Sequence, residues 1–145
     1  MEVVNTLDID GTQWEIQDEK ARNKIVGIEE LLTTKTLPKP TITRMPGVNW
    51  SSFDTLYHYS FGKIHFIYLK LQNVSNDNIG TTRSISICRL NILPIETTTF
   101  MLFDYINGRV MRCSIDENGH IIIGESNGVS SGNNMCIGEL IFAEA

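Results

Sequence analysis

Seven short runs of aromatic and β-branched residues fill residues 55–145, and they constrain the fold more than any other feature. Apolar side chains alternate within these runs, as in strands with one buried face. Turn-forming residues separate the runs, at Gly62-Lys63, 76–78, Asn107-Gly108, 117–119 and 126–134. The pattern predicts strands at 56–61, 64–71, 84–90, 100–105, 109–115, 121–123 and 135–142. We therefore expect a mainly β fold, an antiparallel β-sandwich with a jelly-roll-like arrangement, and no useful helix after residue 33.

The first 34 residues differ from the rest in charge and in pattern. They hold eight acidic and three basic residues, which accounts for the whole net charge of −5 of the 145-residue chain. Leu7 and Ile9 alternate with aspartates, and Asp10-Gly11 is a two-residue turn signal. Residues 7–16 are therefore predicted to form a β-hairpin.

From Asp18 onwards the apolar spacing changes to three and four residues. This spacing predicts a helix whose apolar seam consists of Ala21, Ile25, Ile28 and Leu32. Two interpretations are open. The helix packs on the core of its own chain, or it forms a short parallel coiled coil, in which Lys24 and Glu29 attract each other across chains.

Residues 35–54 hold three of the four prolines of the chain. A proline-containing stretch of this kind is extended and stiff, so we predict a linker. The expected organisation is a hairpin and helix in residues 1–34, a linker in 35–54 and a β-sandwich head domain in 55–145.

The composition argues against several classes of protein. A pI near 5.1 does not suit a nucleic-acid partner. The sequence has no run of roughly 20 apolar residues for membrane insertion and no signal peptide at its N-terminus. Three widely spaced cysteines match neither a disulfide framework nor a zinc site, and we expect them to pack as small hydrophobic residues.

One catalytic motif is present in surroundings that do not support it. Residues 8–12 match the DxDGT signature of haloacid-dehalogenase-like phosphatases, in which the first aspartate attacks phosphorus and Mg²⁺ bridges to the phosphate. That chemistry needs a parallel α/β sheet, whereas the strands predicted here are antiparallel. An EF-hand interpretation fails because Gln13 stands where the loop requires glycine. A phosphatase remains a remote alternative, and we predict no enzyme, catalytic residue, metal or cofactor.

The histidines give no clear indication of a site. His58 and His65 lie seven residues apart in adjacent predicted strands. A metal pair or a Cys/His nucleophile is one interpretation, but we expect strand histidines to face solvent.

Aromatic residues and loops rich in Asn and Ser give the one indication of a ligand. Sugar binding uses an aromatic face with a few amide and hydroxyl groups, and loops on a rigid β scaffold carry function. Most of the aromatic side chains are more simply explained as core or sheet-face residues. The binding candidates are Trp50, Asn76, Asp77, Asn78, Tyr105, Asn127 and Asn133.

The beginning of the chain resembles a segment near the start of phage tail and head fibre proteins, where it precedes a trimeric helical stalk. The resemblance rests on Leu7, Gly11, Trp14, Ile16, Asp18, Ala21 and Arg22. The second half is similar to fibre tip domains of the same proteins, in Leu93-Pro94, in residues 113–121 and in the closing residues 138–142.

This resemblance implies a homotrimeric virion protein that is made in the cytoplasm of a bacterial host. Residues 1–34 would attach it to another virion protein, and the seam of Ala21, Ile25, Ile28 and Leu32 would hold the trimer. The β-sandwich tip would bind a host cell-surface receptor, a glycan or a protein, through the candidates named above. The alternative is a purely structural head-decoration or baseplate fibre without receptor binding.

The coiled-coil interpretation predicts that Ile25→Asp weakens assembly, because a carboxylate in an apolar seam is buried without a partner. Light scattering after size exclusion should give the wild type about three times the 16.4 kDa chain mass and the variant a smaller mass. An unchanged mass would show that the seam packs within its own chain.

Overall fold

The structure is a computed structural model that describes residues 6–9, 12–15 and 34–145. These residues form eleven strands. The strands are β1 (Thr6–Ile9), β2 (Thr12–Glu15), β3 (Thr34–Thr36), β4 (Ile42–Arg44), β5 (Ser52–Phe61), β6 (Ile64–Gln72), β7 (Ile85–Leu90), β8 (Thr98–Asp104), β9 (Arg109–Ile115), β10 (His120–Glu125) and β11 (Met135–Ala143). Across the described ranges there is no helix of membrane-spanning length and apolarity.

The first two strands pair as an antiparallel hairpin, with Leu7 opposite Trp14. They flank Asp10-Gly11, as the turn signal predicts. The predicted helix and its seam (Ala21, Ile25, Ile28 and Leu32) lie outside the described residues. The coiled coil therefore stays a prediction.

The mainly β, antiparallel fold is confirmed. All seven strands predicted after residue 55 are present as β5 to β11, with ends that differ by a few residues. Backbone hydrogen bonds join nine strands in the order β3-β5-β6-β11-β8-β9-β10-β7-β4. Because these strands form one curled sheet, the two-sheet sandwich and its jelly-roll arrangement are not confirmed.

A short connection shows why this sheet must curl. β3 forms one edge and β4 the other, and only residues 37–41 separate them in the chain. Nine strands side by side in a flat sheet would place the edges about 38 Å apart, but six Cα–Cα steps reach at most about 22 Å. Thr41 and Asn91 hold the connection against the β4 side, where the Thr41 N–H donates to Asn91 Oδ1 at 2.7 Å.

The residues predicted as a linker pack against this sheet. Residues 35–54 include most of β3, all of β4 and the start of β5, and Pro40 and Val48 are buried. Asn49 and Ser75 exchange two backbone hydrogen bonds of 3.1 and 2.9 Å. The prolines lie in the connections between strands, where the missing N–H costs no ladder hydrogen bond.

The inner face of the curled sheet encloses the hydrophobic core. In β6 every second side chain is buried, as the period of a strand requires; Ile67, Leu69 and Leu71 have no exposed surface. The three cysteines are free thiols buried in this core, which confirms their prediction as small hydrophobic residues. Burial raises the pKa of all three thiols, that of Cys136 to about 12.

The register gives the sheet two distinct ends. We call proximal the end with Thr34, the turn at 62–63, the connection 91–97, the turn at 116–119 and the C-terminus. We call distal the end with the connections 45–51, 73–84, 105–108 and 126–134. The chain enters the sheet at the proximal end, and the Asn- and Ser-rich loops lie at the opposite end.

Gly138 lies where the backbone of β8 passes close to β11. The ladder between these strands has only two residue pairs, Cys136 with Asp104 and Ile137 with Phe103. A Cβ atom on Gly138 would collide with the carbonyl oxygen of Met101 and would lie 2.8 Å from Leu102 Cδ2. The missing side chain therefore permits the close approach of the two strands.

Gly138→Ala should lower the free energy of unfolding by about 2 kcal/mol, because the backbone must shift to admit the methyl group. Gly124→Ala is the matched control, since its Cβ would meet Arg112 O at an ordinary 3.5 Å. Urea unfolding of both variants measures the difference. Equal stabilities would show that the sheet does not depend on this contact.

Candidate functional site

The distal end gathers all the binding candidates, although they lie far apart in the sequence. Four separate connections contribute them, because antiparallel strands return each connection to the same end. The candidates are Trp50 in 45–51, Asn76, Asp77 and Asn78 in 73–84, Tyr105 in 105–108, and Asn127 and Asn133 in 126–134. All seven candidates therefore lie on connections at the same end of the sheet.

Asn134 joins two of these loops from inside the molecule. Its side chain is fully buried. The oxygen accepts the Val74 N–H at 3.0 Å, and the amide nitrogen donates to Val74 O and to Ser130 O, both at 2.8 Å. The loops 73–84 and 126–134 are thereby held as one unit.

Two more buried polar side chains complete this framework. The Asp104 carboxylate accepts the N–H groups of Ile106 at 3.0 Å and Met135 at 3.1 Å, and the side-chain amide of Asn107 also donates to it. Ser126 Oγ accepts the Gly80 N–H at 2.9 Å. These bonds attach the turn 105–108 to β11 and the loop 73–84 to the end of β10.

The sequence did not single out Asp104, Ser126 or Asn134. A signal was present, since each stands beside a strand end, where a short polar side chain satisfies the free backbone groups of a turn. Among so many Asn, Ser and Asp residues, the sequence alone does not separate the buried ones from the exposed ones.

Two of the candidates have structural roles. Asn76 donates from its side-chain amide to Gly47 O at 2.9 Å and accepts the Asn78 N–H at 3.0 Å. Trp50 is half-buried beside Phe53, and the Arg44 guanidinium lies 4.5 Å from the centre of its ring. Both side chains shape the distal end more than they offer contacts to a ligand.

Other candidates present their polar groups to solvent. Among the hydrogen bonds of residues 34–145, none involves the side chains of Asp77, Asn78 or Asn133 or the hydroxyl of Tyr105. Tyr105 is 56% exposed, and its ring packs edge-on against Phe103. An aromatic ring, a carboxylate and amides thus stand on a rigid base.

Asn127 lies at a separate shallow depression beside the distal end. Met101, Val110, Arg112 and Glu125 form its other walls, and its volume is about 240 Å³. Its size and mixed lining suit one small polar group better than a large apolar ligand.

The outer face of the sheet is apolar over several strands. Large exposed side chains lie on β5, β6, β11, β8 and β9; they are Tyr57, Phe61, Ile64, Ile141, Met101, Phe103 and Val110, which we call the outer apolar face. Single exposed apolar side chains are common in proteins, but several of them on neighbouring strands indicate an interaction surface.

Stacked aromatic rings extend this face along β5 and β6. Tyr59 stacks on Phe66 at 4.9 Å and Tyr57 on Tyr68 at 5.2 Å between ring centres. The Tyr57 hydroxyl donates to Glu139 Oε1 at 2.9 Å. Partial burial and the Glu139 carboxylate raise the pKa of Tyr57 to about 12, so its hydroxyl remains a donor.

Within the described part of the chain, no three His, Cys, Asp or Glu side chains converge in a way that could hold a metal ion. Asp8 of the phosphatase-like motif lies on β1, and Asp10 lies outside the described residues.

The sequence matches no protein-family model and no curated protein. Among solved structures, the fold is similar to the crystal structure of the head domain of phage bIL170, which was described with the question of a common fold for the receptor binding domains of lactococcal phages. The TM-score is 0.51 at 15% sequence identity, and the match covers 75% of this chain and 99% of that one. At this identity the likeness establishes a shared fold.

Proposed function

We propose that this chain is a homotrimeric phage fibre protein of the virion whose distal end binds a receptor on the host cell surface. The observation that carries the proposal is the position of the binding candidates. Loops from four parts of the sequence meet at the end of the sheet opposite to Thr34, where the chain enters. The fold shared with a phage receptor-binding head supports the same conclusion.

The direction of the chain relates the proximal end to the virion and the distal end to the host. Residues 1–34 resemble an attachment segment, and they precede the proximal end of the sheet. A protein held to the virion by this segment would direct its distal loops away from the particle. Loops on a rigid scaffold are also the positions at which a β protein carries its contacts.

The chemistry of the distal end favours a glycan receptor over an apolar one. Tyr105 supplies an exposed aromatic ring, and Asp77, Asn78 and Asn133 supply a carboxylate and amides. Sugars need both kinds of group, because the ring covers apolar C–H surface and the polar groups replace water. Weak binding by each head is sufficient, because several heads on one virion bind at the same time and raise the overall affinity.

A second copy of this chain is the partner that best fits the outer apolar face. Self-association would cover the seven large apolar side chains that this face exposes. Residues 35–145 carry nine acidic and nine basic residues, so three heads approach one another without net repulsion. The predicted coiled-coil seam would add apolar contacts to the same trimer.

Receptor binding predicts a loss of host-cell binding for the distal double variant Asp77→Ala/Asn78→Ala. The fluorescently labelled full-length protein is titrated onto a panel of bacterial cells, and the double variant should bind at least about tenfold more weakly, because two polar contacts are lost. Glu117→Ala/Asn118→Ala is the matched control, an acid–Asn pair in a proximal turn, and it should bind like the wild type.

The result separates the candidate functions. Equal losses in both variants would contradict a distal site. If the wild type binds no cell of the panel and no glycan of an array, receptor binding is overturned in favour of a structural head-decoration or baseplate fibre.

The trimer proposal predicts that Ile141→Asp weakens assembly. Ile141 is 44% exposed, next to the stacked rings on β6. A buried unpaired carboxylate in each subunit costs about 3 kcal/mol. This cost lowers the association constant by roughly a hundredfold or more. Ile95→Asp is the control, because Ile95 is 64% exposed in the proximal connection 91–97. Light scattering over a dilution series should show dissociation of Ile141→Asp alone; a wild-type monomer would contradict the proposal.

A further inference from the structure

Two buried histidines at the proximal end form a continuous chain of hydrogen bonds. His58 Nδ1 lies 2.7 Å from Pro38 O, His58 Nε2 lies 2.9 Å from His65 Nδ1, and His65 Nε2 lies 3.0 Å from Glu144 Oε2. Both imidazoles are only 5% exposed. The expectation that these histidines face solvent is wrong, because both stand at inward positions of β5 and β6.

The partners determine where the protons lie. Pro38 O can only accept, so His58 Nδ1 carries a proton and donates it. Each of the other two hydrogen bonds needs one proton, which makes three in all. Two neutral imidazoles supply the protons of two of these bonds, and the hydrogen bond between His65 Nε2 and Glu144 Oε2 needs one proton more.

A fourth proton on His58 would break this arrangement. Its Nε2 would then carry hydrogen and face the N–H of His65 across 2.9 Å. The central hydrogen bond would be lost, because two N–H groups would face each other with no acceptor between them. The chain of hydrogen bonds is therefore complete with three protons and incomplete with four.

Charged groups from four segments face the two imidazoles. Apart from the histidines themselves on β5 and β6, these are Glu144 after β11 and Lys39 in the connection 37–41. The Lys39 ammonium group pairs with the Asp54 carboxylate at 2.9 Å. No other charged side chain lines this site among the described residues.

Solvent reaches the histidines through a groove. The groove has a volume of about 400 Å³, and the connection 37–41 forms one of its walls, with Asn91 and Ile92 on another. Phe142 covers His65 from the inner side, with ring centres 5.4 Å apart. Protons can therefore reach the histidines without unfolding of the core.

We propose that Pro38, His58, His65 and Glu144 form a pH-sensitive clasp, which closes the sheet at neutral pH and opens in mild acid. The clasp ties the connection 37–41 and the C-terminal residues to β5 and β6. Because residues 37–41 hold the two sheet edges together, opening the clasp frees β3, the strand through which the chain enters the head. This device is independent of receptor binding.

The direction of the pH effect follows from the environment of His58. Burial lowers the pKa of His58, and the charge of His65 lowers it further, against the opposite effects of Pro38 O and Glu144. The open state takes up the proton at a higher pH than the closed one. The contribution of His58 to the stability of the closed state is therefore complete above the ordinary histidine pKa of about 6.5, and it is lost as the pH falls through the lowered value.

Amide hydrogen exchange on the full-length protein tests the clasp. The Leu37 N–H donates to His58 O at 2.9 Å and reports on the connection, and the Asn73 N–H donates to Asn134 O at 2.8 Å and reports on the distal end. Between pH about 7.5 and about 5, the protection of Leu37 should fall about tenfold after correction for intrinsic rates, and that of Asn73 should not change.

Two variants show whether the histidine pair causes this loss. His58→Gln keeps a donor for Pro38 O without a titrating group, so the protection of Leu37 should no longer depend on pH. His120→Gln removes the histidine that bonds Asp116 at 3.0 Å in the turn 116–119, and it should behave like the wild type. The proposal is overturned if wild-type Leu37 keeps its protection in acid, or if His58→Gln loses protection as the wild type does.

A measurement on the wild type makes the test independent of how His58→Gln folds. Nitrogen chemical shifts of the imidazoles report which ring nitrogen carries a proton. At pH about 7.5 His58 should be protonated at Nδ1 and not at Nε2. The opposite tautomer, or a fully protonated His58 at this pH, would contradict the clasp.

Discussion

The short connection between the two edge strands is the constraint on which the rest of this structure depends. Residues 37–41 are too few to cross a flat nine-stranded sheet, so the sheet curls and brings its two edges nearer to each other. Curling gives the sheet an inner face, which the aliphatic side chains fill. The chain enters the curled sheet at the proximal end, and the Asn- and Ser-rich loops lie at the distal end.

Polar side chains inside the molecule have opposite roles at these two ends. At the distal end, Asp104, Ser126 and Asn134 accept hydrogen bonds from backbone N–H groups of the loops, and they hold the loops in one arrangement. At the proximal end, His58 and His65 form bonds that depend on a titratable proton. The distal side chains thus fix the loops, whereas the proposed clasp at the proximal end would respond to acid. Rigid loops suit recognition because less conformational entropy is lost on binding.

The sequence predicted that loops would carry the candidate site, but not which of their side chains are free to contact a ligand. Asn- and Ser-rich loops on a β scaffold indicated a binding surface, and antiparallel connectivity brings those loops together. The sequence could not show that Asn76 and Trp50 are engaged within the protein, or that Asn134 is buried. An Asn side chain has the same composition in either role, and only its neighbours in space decide whether its amide is satisfied or available.

By itself the sequence determined the strands. Alternating apolar residues and turn residues act over a few positions, so β5 to β11 and the first hairpin could be located without their neighbours. The tertiary structure decided that nine strands form one curled sheet instead of two layers, that residues 35–54 pack on it, and that His58 meets His65 and Glu144. These features depend on hydrogen bonds between distant residues, such as those of Glu144 with His65 and of Thr41 with Asn91. No local pattern of residue types specifies such pairings, because they follow from how the whole chain closes on itself.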